Sequence, residues 1–562
     1  MEGVASPSAL VTAACRRGIR VLALTDTNGL HGALEFIDAA SAQGVRPVVE
    51  ASGWATLVRW LTRVRLSGRV PGELAADPHE LVADCHAGIH ALVSHASGLQ
   101  RLAPLMPGRV WALVVRPAPR GAPVGEECRL LAAAERLRVP VVAGSGGVLL
   151  TRQDQHRHRL LEAVATGRLL DQTESTRWAP ANTILGPDGL ARRFADIPQA
   201  VENLSRLVAA IDDDIVPRRL ILPKPHLPFG SPEGQVLRRA CERGLAARGL
   251  LGRADARSRL DLELRIIGDA GLDGYFLIVR SIARHARRMG HTLALRGSAG
   301  NSLVCYLVGI TDVDPLRFDL AFARFLHPGR PDLPDIDLDF DWKVREEVID
   351  WVTRRHGPRR CVRICSYQFL QARSSFREAC KIHGLSEAQV ALLPAGMDEK
   401  VAQAIERPGD LPTPPANFPL ESQRWPRLVA DARLLLGQPR HLSLHPGGIV
   451  MASGPMDEHT PLECSETGGL MTQFDKDGVE RMGLVKIDLL GNRALGALDE
   501  SGKILRAQGL NHAVVPDDDP ATLNLVRHGD TLGVVQLESP AMRRLLTQMR
   551  PRGVEEVVES LA

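Results

Sequence analysis

The segment Leu333-Pro334-Asp335-Ile336-Asp337-Leu338-Asp339-Phe340 alternates aspartate with isoleucine, leucine and phenylalanine. On a β-strand, successive side chains point to opposite faces, so this pattern predicts one acidic face and one apolar face. Three carboxylates on one face repel one another unless a cation lies over them. Oxygen ligands suit Mg²⁺. The segment therefore predicts a metal-binding strand, and the loop before it argues against the alternative, an exposed acidic edge strand.

A loop of small residues precedes this strand. Arg296-Gly297-Ser298-Ala299-Gly300-Asn301-Ser302 leads into the apolar run 303–308. Small residues let the backbone approach an anion, and amides at a helix N-terminus point at phosphate. Ser298 and Ser302 can add hydroxyl groups, and Arg296 a positive charge. Most loops of this composition are turns, so its position before the acidic strand is what indicates a phosphate-binding site.

A third element is Gly483-Leu484-Val485-Lys486-Ile487-Asp488-Leu489-Leu490-Gly491. Lys486 and Asp488 are two residues apart and share one face of the predicted strand. Asp488 can complete a carboxylate trio, and Lys486 can neutralise or orient a transferring phosphate. Taken alone, the segment is better explained as a buried strand with two polar residues.

The composition is that of a folded protein with several domains. The chain has 562 residues, of which 44% are apolar and 24% charged, and a formal net charge of +3. These values exclude chain-wide disorder, collagen and coiled coil. No apolar run approaches the ~18 residues of a membrane helix, and no signal peptide is recognisable. The nine cysteines are scattered, with Cys361 and Cys365 the only close pair, so we expect reduced thiols in a cytoplasmic protein.

Basic residues are concentrated in one stretch. Residues 343–382 carry ten basic and four acidic side chains. A polyanion is the natural partner of such a stretch. On charge alone, a solvated helical face is the better explanation.

The order of predicted elements indicates an α/β chain. Apolar runs alternate with helix-like segments in residues 1–205, which predicts a parallel sheet or barrel. A proline-rich connector follows at residues 222–228. The remaining predicted elements are mostly helices at 233–288 and 343–440 and short strands at 448–451 and 483–489.

The three motifs, in this order, resemble those of the bacterial C-family DNA polymerases, the DNA polymerase III alpha subunits. Further segments match in family order, namely 274–279, 310–316, 322–326, 472–476 and 535–539. Residues 363–391, with Phe369-Leu370-Gln371-Ala372-Arg373 and His383-Gly384-Leu385, are more similar to the error-prone branch than to the replicative one.

The resemblance implies an α/β multidomain fold. A degenerate α/β barrel of the polymerase-and-histidinol-phosphatase (PHP) type would be followed by a palm like that of DNA polymerase beta, a helical thumb and the start of the fingers. The implied domains are the PHP-like domain at 1–205, the palm with its linker at 206–366, the thumb at 367–444, the second part of the palm at 445–493 and the truncated fingers at 494–562.

The resemblance also implies a catalytic site. Asp335 and Asp337 match the family's metal-binding pair and Asp488 its third carboxylate, with two Mg²⁺ ions expected and Asp339 in support. The implied reaction is attack of a primer 3′-hydroxyl on the α-phosphate of a deoxynucleoside triphosphate (dNTP), with release of pyrophosphate.

Binding residues are implied in the same way. The positions matching nucleotide contacts are Arg296, Gly297, Ser298, Arg324, Arg330 and Lys486. The basic stretch leads into the thumb, where the expected DNA contacts are Arg354, Arg355, Arg359, Arg360, Arg363, Arg373, Arg377 and Lys381. The turn His445-Pro446-Gly447-Gly448 is interpreted as structural support of the palm.

The N-terminal domain departs from the family. Thr27 stands where the PHP metal site has histidine, Ser52 where it has glutamate, and residues 146–148 where it has Asp-x-His. The remaining Asp26 cannot hold a metal cluster alone. We therefore expect no PHP-domain metal and no phosphoesterase or proofreading site.

Two hypotheses follow. In the first, the chain is an error-prone DNA-directed DNA polymerase of replication, repair or translesion synthesis. Its partners would be primer–template DNA, dNTPs and other polymerase or mutagenesis subunits, with no membrane. Because the chain stops early in the family's fingers domain, the alternative is a non-catalytic DNA-binding remnant, or a half-polymerase that needs a separately encoded fingers and C-terminal part. The missing ligands disfavour a PHP-type phosphoesterase.

Overall fold

The structure is a computed structural model. It describes residues 5–24, 29–48, 53–66, 88–116, 124–146, 149–151, 154–173, 183–211, 220–228, 230–327, 329, 335–393, 396–407, 411–414, 418–420, 424–466, 468–510 and 519–561. The chain forms two compact units, residues 1–223 with 356–486 and residues 224–355 with 487–562. This division is coarser than the five domains inferred from the sequence, so those boundaries remain predictions.

The N-terminal part of the first unit alternates helices with short strands. Its elements are α1 (Pro7–Arg16), β1 (Val21–Ala23), α2 (Ala33–Ala42), β2 (Arg46–Val48), α3 (Trp54–Leu66), β3 (Ala91–Val93), α4 (Ala96–Leu102), β4 (Val110–Val115), α5 (Val124–Leu137), β5 (Val141–Gly144), α6 (Asp154–Thr166), α7 (Pro187–Arg193) and α8 (Pro198–Ala209). β1 pairs with β2 and β4 with both β3 and β5, all in parallel. The predicted α/β character is confirmed. The described strands lie in two separate sheets, and the barrel remains a prediction.

The first part of the second unit contains the acidic strand. Its elements are α9 (Glu233–Ala247), α10 (Ala254–Asp269), α11 (Asp273–Arg288), β6 (Leu293–Arg296), a 3₁₀ turn (Gly297–Asn301), α12 (Leu303–Leu307), a second 3₁₀ turn (Phe322–Arg324), β7 (Asp337–Asp341) and α13 (Arg345–His356). β6 and β7 are antiparallel, with Arg296 opposite Asp337.

The first unit continues with a mixed sheet and a group of helices. The elements are β8 (Cys361–Phe369), α14 (Ala372–Ile382), α15 (Glu387–Val390), α16 (Met397–Glu406), α17 (Trp425–Leu435), β9 (Pro439–Met451), β10 (Leu462–Cys464), β11 (Leu470–Thr472) and α18 (Lys476–Arg481). The strand order is β10-β11-β8-β9. The prediction of mostly helix across 343–440 is wrong for β8, a nine-residue strand with Val362 and Ile364 buried.

Helix α6 packs with α14, α16 and α17 around a shared apolar core that includes Phe376 and Trp425. The two rings meet edge to face, with centroids 5.8 Å apart. The assignment of these helices as a thumb remains a prediction.

The second unit is completed by residues 487–562, which include Asp488 and all but the first two residues of β12. The elements are β12 (Val485–Asn492), α19 (Arg493–Ala507), α20 (Pro520–Arg527), α21 (Pro540–Met549) and α22 (Val554–Leu561). β12 runs parallel to β7. Within the described part of the chain, no helix is long and apolar enough to cross a membrane.

Candidate active site

Strand β7 presents the predicted acidic face. The apolar residues Ile336, Leu338 and Phe340 are all 0% exposed. The aspartates take the alternate positions, so their side chains project from the other face of the strand. The predicted strand is confirmed for residues 337–341, whereas Asp335 and Ile336 lie before it. Asp341 occupies one further alternate position, which the sequence analysis did not include.

Strand β12 brings the third predicted carboxylate next to this face. The register places Leu490 opposite Asp339. The first pair of this register is Leu489 opposite Leu338. Asp488 and Asp337 each lie one residue before that pair, on strands about 4.8 Å apart. Asp488 is 9% exposed, while Asp337 is half-buried and Asp335, just before the strand, is exposed. The structure thus brings Asp337 and Asp488 to the same end of the β7–β12 pair, and Asp335 precedes Asp337 by two residues.

Arg296, a predicted nucleotide contact, binds the acidic face in this structure. Its Nη2 donates to Asp339 Oδ2 at 2.8 Å. The Asn492 side-chain amide donates to the same oxygen at 2.9 Å. The hydrogen bond to Asp339 raises the pKa of the Arg296 guanidinium above its usual value. The sequence analysis missed Asn492, which also caps α19 by accepting from Ala494 N.

The other oxygen of Asp339 supplies a test of metal binding. The side chain is 5% exposed, and Oδ1 is buried with no hydrogen-bond partner among the described residues. A buried carboxylate oxygen without a donor is unfavourable, and a nearby cation would relieve the cost. Carboxylate oxygens in this arrangement are chemically suited to Mg²⁺.

The side chains are not yet arranged around a metal ion. Among the described residues, no group of three or more histidine, cysteine, aspartate or glutamate side chains is positioned to hold one. Metal binding by Asp335, Asp337 and Asp488 is therefore a proposal.

The Gly-Ser loop forms one 3₁₀ turn, Gly297–Asn301. Gly297 has φ +76°, a left-handed conformation that residues with a Cβ adopt at a cost. Ser298 is half-buried. A glycine is therefore required at 297 for the chain to turn, whatever the loop binds.

Ser302 and the amides of α12 do not face a phosphate. Glu263, at 0% exposure, accepts from Ser302 Oγ at 2.8 Å and from the amides of Leu303 and Val304 at 3.0 Å each. Arg259 Nε donates to the same carboxylate at 2.6 Å. The prediction that these groups bind phosphate is wrong, because a carboxylate of α10 occupies them.

The other predicted nucleotide contacts lie on separate segments. Arg324 ends the 3₁₀ turn Phe322–Arg324 and is exposed. Lys486 precedes Asp488 by two residues on β12 and is half-buried. Arg330 lies outside the described residues. Their roles remain predictions.

The eight predicted DNA contacts are divided between the two units. Arg354 and Arg355 lie on α13 in the second unit, and the other six lie in the first. Three of those six form an ion pair with an acid, namely Arg359, Arg373 and Lys381. The structure therefore does not place all eight in one unit.

A basic surface on α11 was missed. His285 stacks on Trp351 of α13 with ring centroids 4.0 Å apart, which joins the two helices. Arg284, Arg288 and Arg354 are exposed on this pair of helices. Burial lowers the pKa of His285. The charge of Glu347 opposes this, while the neighbouring cations Arg288 and Arg354 lower the pKa further. The sequence contained a signal for this surface, because Arg284 and Arg288 are four residues apart and so share one face of a helix.

The motif His445-Pro446-Gly447-Gly448 lies within the continuous strand β9. The pairing with β8 shifts register here, and His445 Nδ1 accepts from Gly448 N at 2.7 Å. A Cβ on Gly448 would lie 2.6 Å from that nitrogen. These contacts fit the structural interpretation, which remains a prediction.

The positions that depart from the PHP metal site are mostly not described. Those outside the described residues are Thr27, Ser52, Gly147 and Val148. Thr25 and Asp26, which match the family, also lie outside them. The absence of a PHP-domain metal therefore remains an expectation.

Two family models match the chain. The bacterial DNA polymerase III alpha NTPase domain matches residues 235–491. The bacterial DNA polymerase III alpha subunit finger domain matches residues 494–562. The first match contains the acidic strand, the Gly-Ser loop and Asp488.

Named relatives match most or all of the chain. The error-prone DNA polymerase of Symbiobacterium thermophilum is 31% identical over 623 aligned residues, covering 100% of this chain and 56% of that protein. The DNA polymerase III subunit alpha of Pseudomonas fluorescens is 28% identical, covering 100% and 53%. The error-prone DNA polymerase of Alkalilimnicola ehrlichii is 33% identical, covering 77% and 42%.

The chain spans about half the length of the first two of these relatives. Both matched models describe domains of the same subunit, and the first of them covers all three motifs, the strand β7 and all but the last residue of β12. The chain belongs to the bacterial DNA polymerase III alpha family.

Proposed function

We propose that this chain provides the catalytic palm of a DNA-directed DNA polymerase. The observation that supports this proposal is the parallel pairing of β7 and β12, which begins at Leu489 opposite Leu338, one residue after Asp488 and Asp337. The error-prone branch is supported by the segments 369–373 and 383–385 and by relatives of that name at 31% and 33% identity.

The proposed reaction is template-directed nucleotidyl transfer. The primer 3′-oxygen forms a bond to the α-phosphorus of a dNTP while the bond to the β-phosphate bridging oxygen breaks and pyrophosphate leaves. Asp335, Asp337 and Asp488 would hold Mg²⁺, which stabilises charge on the attacking and leaving oxygens. Two such ions are expected.

The chain's own residues would hold the reactants. Arg296 and Asn492 both donate to Asp339 Oδ2 and so fix the orientation of this carboxylate. Asp339 would support the neighbouring carboxylates in this orientation. Arg324 and Lys486 would add positive charge for the triphosphate.

Primer–template DNA is the proposed macromolecular partner. Arg354 and Arg355 on α13, with Arg284 and Arg288 on α11, form a basic surface in the second unit. Phosphate contacts made by arginines release counterions, so binding should weaken steeply with salt. Other polymerase or mutagenesis subunits are further candidate partners.

Primer extension tests the catalytic proposal. Purified chain would be given a labelled primer–template, Mg²⁺ and four dNTPs, beside Asp337→Asn. We expect extension to fall at least about 100-fold in the variant, because one carboxylate charge is lost where phosphoryl charge develops. Asp261→Asn is the matched control, since Asp261 is an exposed acid of the same unit paired with Arg238. Equal activity in Asp337→Asn and wild type would contradict the proposal.

A half-polymerase is the second candidate. Its supporting observation is exposed apolar side chains in residues 494–562, with Leu498 62%, Leu532 76% and Val558 59% exposed. Extension that appears only after the C-terminal half of the Symbiobacterium relative is added would favour this candidate. Salt-sensitive DNA binding without extension under either condition would favour the non-catalytic remnant.

A further inference from the structure

Tyr275 contacts the backbone between two of the proposed catalytic carboxylates. The residue lies in the first turn of α11 and is 1% exposed. Its hydroxyl oxygen accepts a hydrogen bond from Ile336 N at 3.1 Å. Ile336 separates Asp335 from Asp337, so the phenol holds the peptide that joins these two side chains.

The backbone needs a partner at this point. The pairing of β6 with β7 ends at Arg296 and Asp337, so the amide of Ile336 lies one residue beyond that ladder. The Ile336 side chain is 0% exposed, and a buried amide without an acceptor is costly. The phenol supplies that acceptor.

The electrostatics agree with this placement. Burial raises the pKa of Tyr275 well above its usual value, and the charges of Asp335 and Asp337 raise it further. The phenol is therefore neutral, and both carboxylates lie near enough to influence it.

Packing fixes the phenol on its other sides. Tyr275 meets Phe276 edge to face, and Phe276 meets Phe325 in the same way, with centroids 6.2 and 6.1 Å apart. Glu233 and Pro225 lie against the start of α11, since a Cβ on Gly274 would be 2.5 Å from Glu233 Oε2 and 3.0 Å from Pro225 Cδ. Tightly packed aromatic residues hold polar tips in defined positions.

We propose that Tyr275 is a positioning residue that sets the spacing of Asp335 and Asp337. The inference rests on the proposed polymerase function for its catalytic consequence. Its structural part, that the hydroxyl restrains residues 335–341, stands without that function.

The tyrosines of this chain supply matched variants. Tyr275→Phe removes one oxygen and keeps the ring. Tyr306→Phe is the control in the same unit, because the described contact of Tyr306 is the Arg248 guanidinium 3.7 Å from its ring centroid. Three readouts apply to each variant. They are hydrogen exchange of the peptide covering 335–341, Mn²⁺ affinity by electron paramagnetic resonance, and primer extension as a function of Mg²⁺ and of primer–template DNA.

We expect Tyr275→Phe to exchange faster in this peptide and to bind Mn²⁺ about 10-fold more weakly, as for other residues that orient metal ligands. The Mg²⁺ concentration for half-maximal extension should rise while the KM for DNA is unchanged. Tyr306→Phe should match wild type in all three readouts.

Unchanged exchange and Mn²⁺ affinity in Tyr275→Phe would overturn the inference. Equal changes in both variants would also overturn it, since they would indicate general loosening. If the wild-type chain neither binds Mn²⁺ nor extends primers, the proposed polymerase function fails. Hydrogen exchange is then the measurement that tests the positioning role of Tyr275. Faster exchange limited to Tyr275→Phe would then support the positioning role, and equal exchange would reject it.

Discussion

Two buried carboxylates in the second unit, Glu263 on α10 and Asp339 on β7, are satisfied to different extents. Both oxygens of Glu263 accept hydrogen bonds, two at Oε1 and two at Oε2. Asp339 accepts two at Oδ2, and its Oδ1 has no partner among the described residues. A buried charge with a complete set of donors is typical of a structural role. An incomplete set in an acidic row leaves capacity for a cation.

The largest expected effect is on folding. Glu263→Ala should lower the free energy of unfolding by about 3–5 kcal/mol, because Arg259 and three other donors lose their buried partner together. Urea denaturation followed by circular dichroism measures this. Glu242→Ala, on an exposed position of α9, is the control. A cost below about 1 kcal/mol for Glu263→Ala would mean that the network contributes little.

The complementary change at Asp339 should affect function more than folding. Asp339→Asn keeps the shape and removes the charge. Since the paired Arg296 side chain is 57% exposed, we expect a stability change below about 1 kcal/mol. Extension and Mn²⁺ affinity should fall about 10-fold. Asp341→Asn, farther along the same face, is the control, and a large stability loss in Asp339→Asn with normal Mn²⁺ affinity would break the comparison.

The Gly-Ser loop, Gly297–Asn301, lies between Glu263 and Asp339 in the sequence, and glycine substitutions test how far its backbone conformation depends on glycine. Gly297→Ala should cost about 1 kcal/mol, because an alanine at φ +76° is strained even though no atom lies within 4 Å of the added Cβ. Gly300→Ala also has open space and no positive φ, so it should be close to neutral. Thermal unfolding of both variants gives the difference, and equal melting temperatures would refute the backbone argument.

A third buried carboxylate, Asp431 in the first unit, has two histidine partners. Asp431, 2% exposed, accepts from His383 at 2.9 Å and from His156 at 2.6 Å. Burial opposes ionisation, but these hydrogen bonds hold the pKa of Asp431 below its usual value. Because the folded pKa is depressed, the stabilisation is present above the ordinary aspartate pKa and is lost as pH falls through the folded value.

The contribution of Asp431 to stability should be complete at neutral pH and should decrease in acid. The stability difference between wild type and Asp431→Asn should be constant above about pH 5 and shrink as the solution is acidified below about pH 4. Denaturation at a series of pH values measures it. If the stability difference between wild type and Asp431→Asn grew on acidification, the pKa of Asp431 would not be lowered in the folded state.

Local patterns were predictable from the sequence. Side chains two residues apart on a strand share a face, so the alternation of 335–340 was sufficient to predict the acidic face of β7. The parallel strands of the N-terminal segment were likewise indicated by short apolar runs between helix-like segments. β8 was missed because its basic and polar residues interrupt the apolar pattern.

The partners of polar groups were not predictable in the same way. Glu263 lies 39 residues before Ser302, and nothing in the Gly-Ser loop indicates that a remote carboxylate occupies its serine and amides. Tyr275 lies 61 residues before Ile336. Such contacts depend on how helices pack on strands, and the same residues in another packing would have other partners.

By itself, the sequence determined which side chains could form an acidic face, where a glycine turn precedes it and which family the motifs resemble. Only the tertiary structure decided that Asp488 lies beside Asp337, that Arg296 and Asn492 hold Asp339, and that Glu263 occupies the helix start predicted to bind phosphate. The physical reason is that periodicity is a property of a few neighbouring residues. Strand register and the satisfaction of buried charges are set by segments that meet only when the chain is folded.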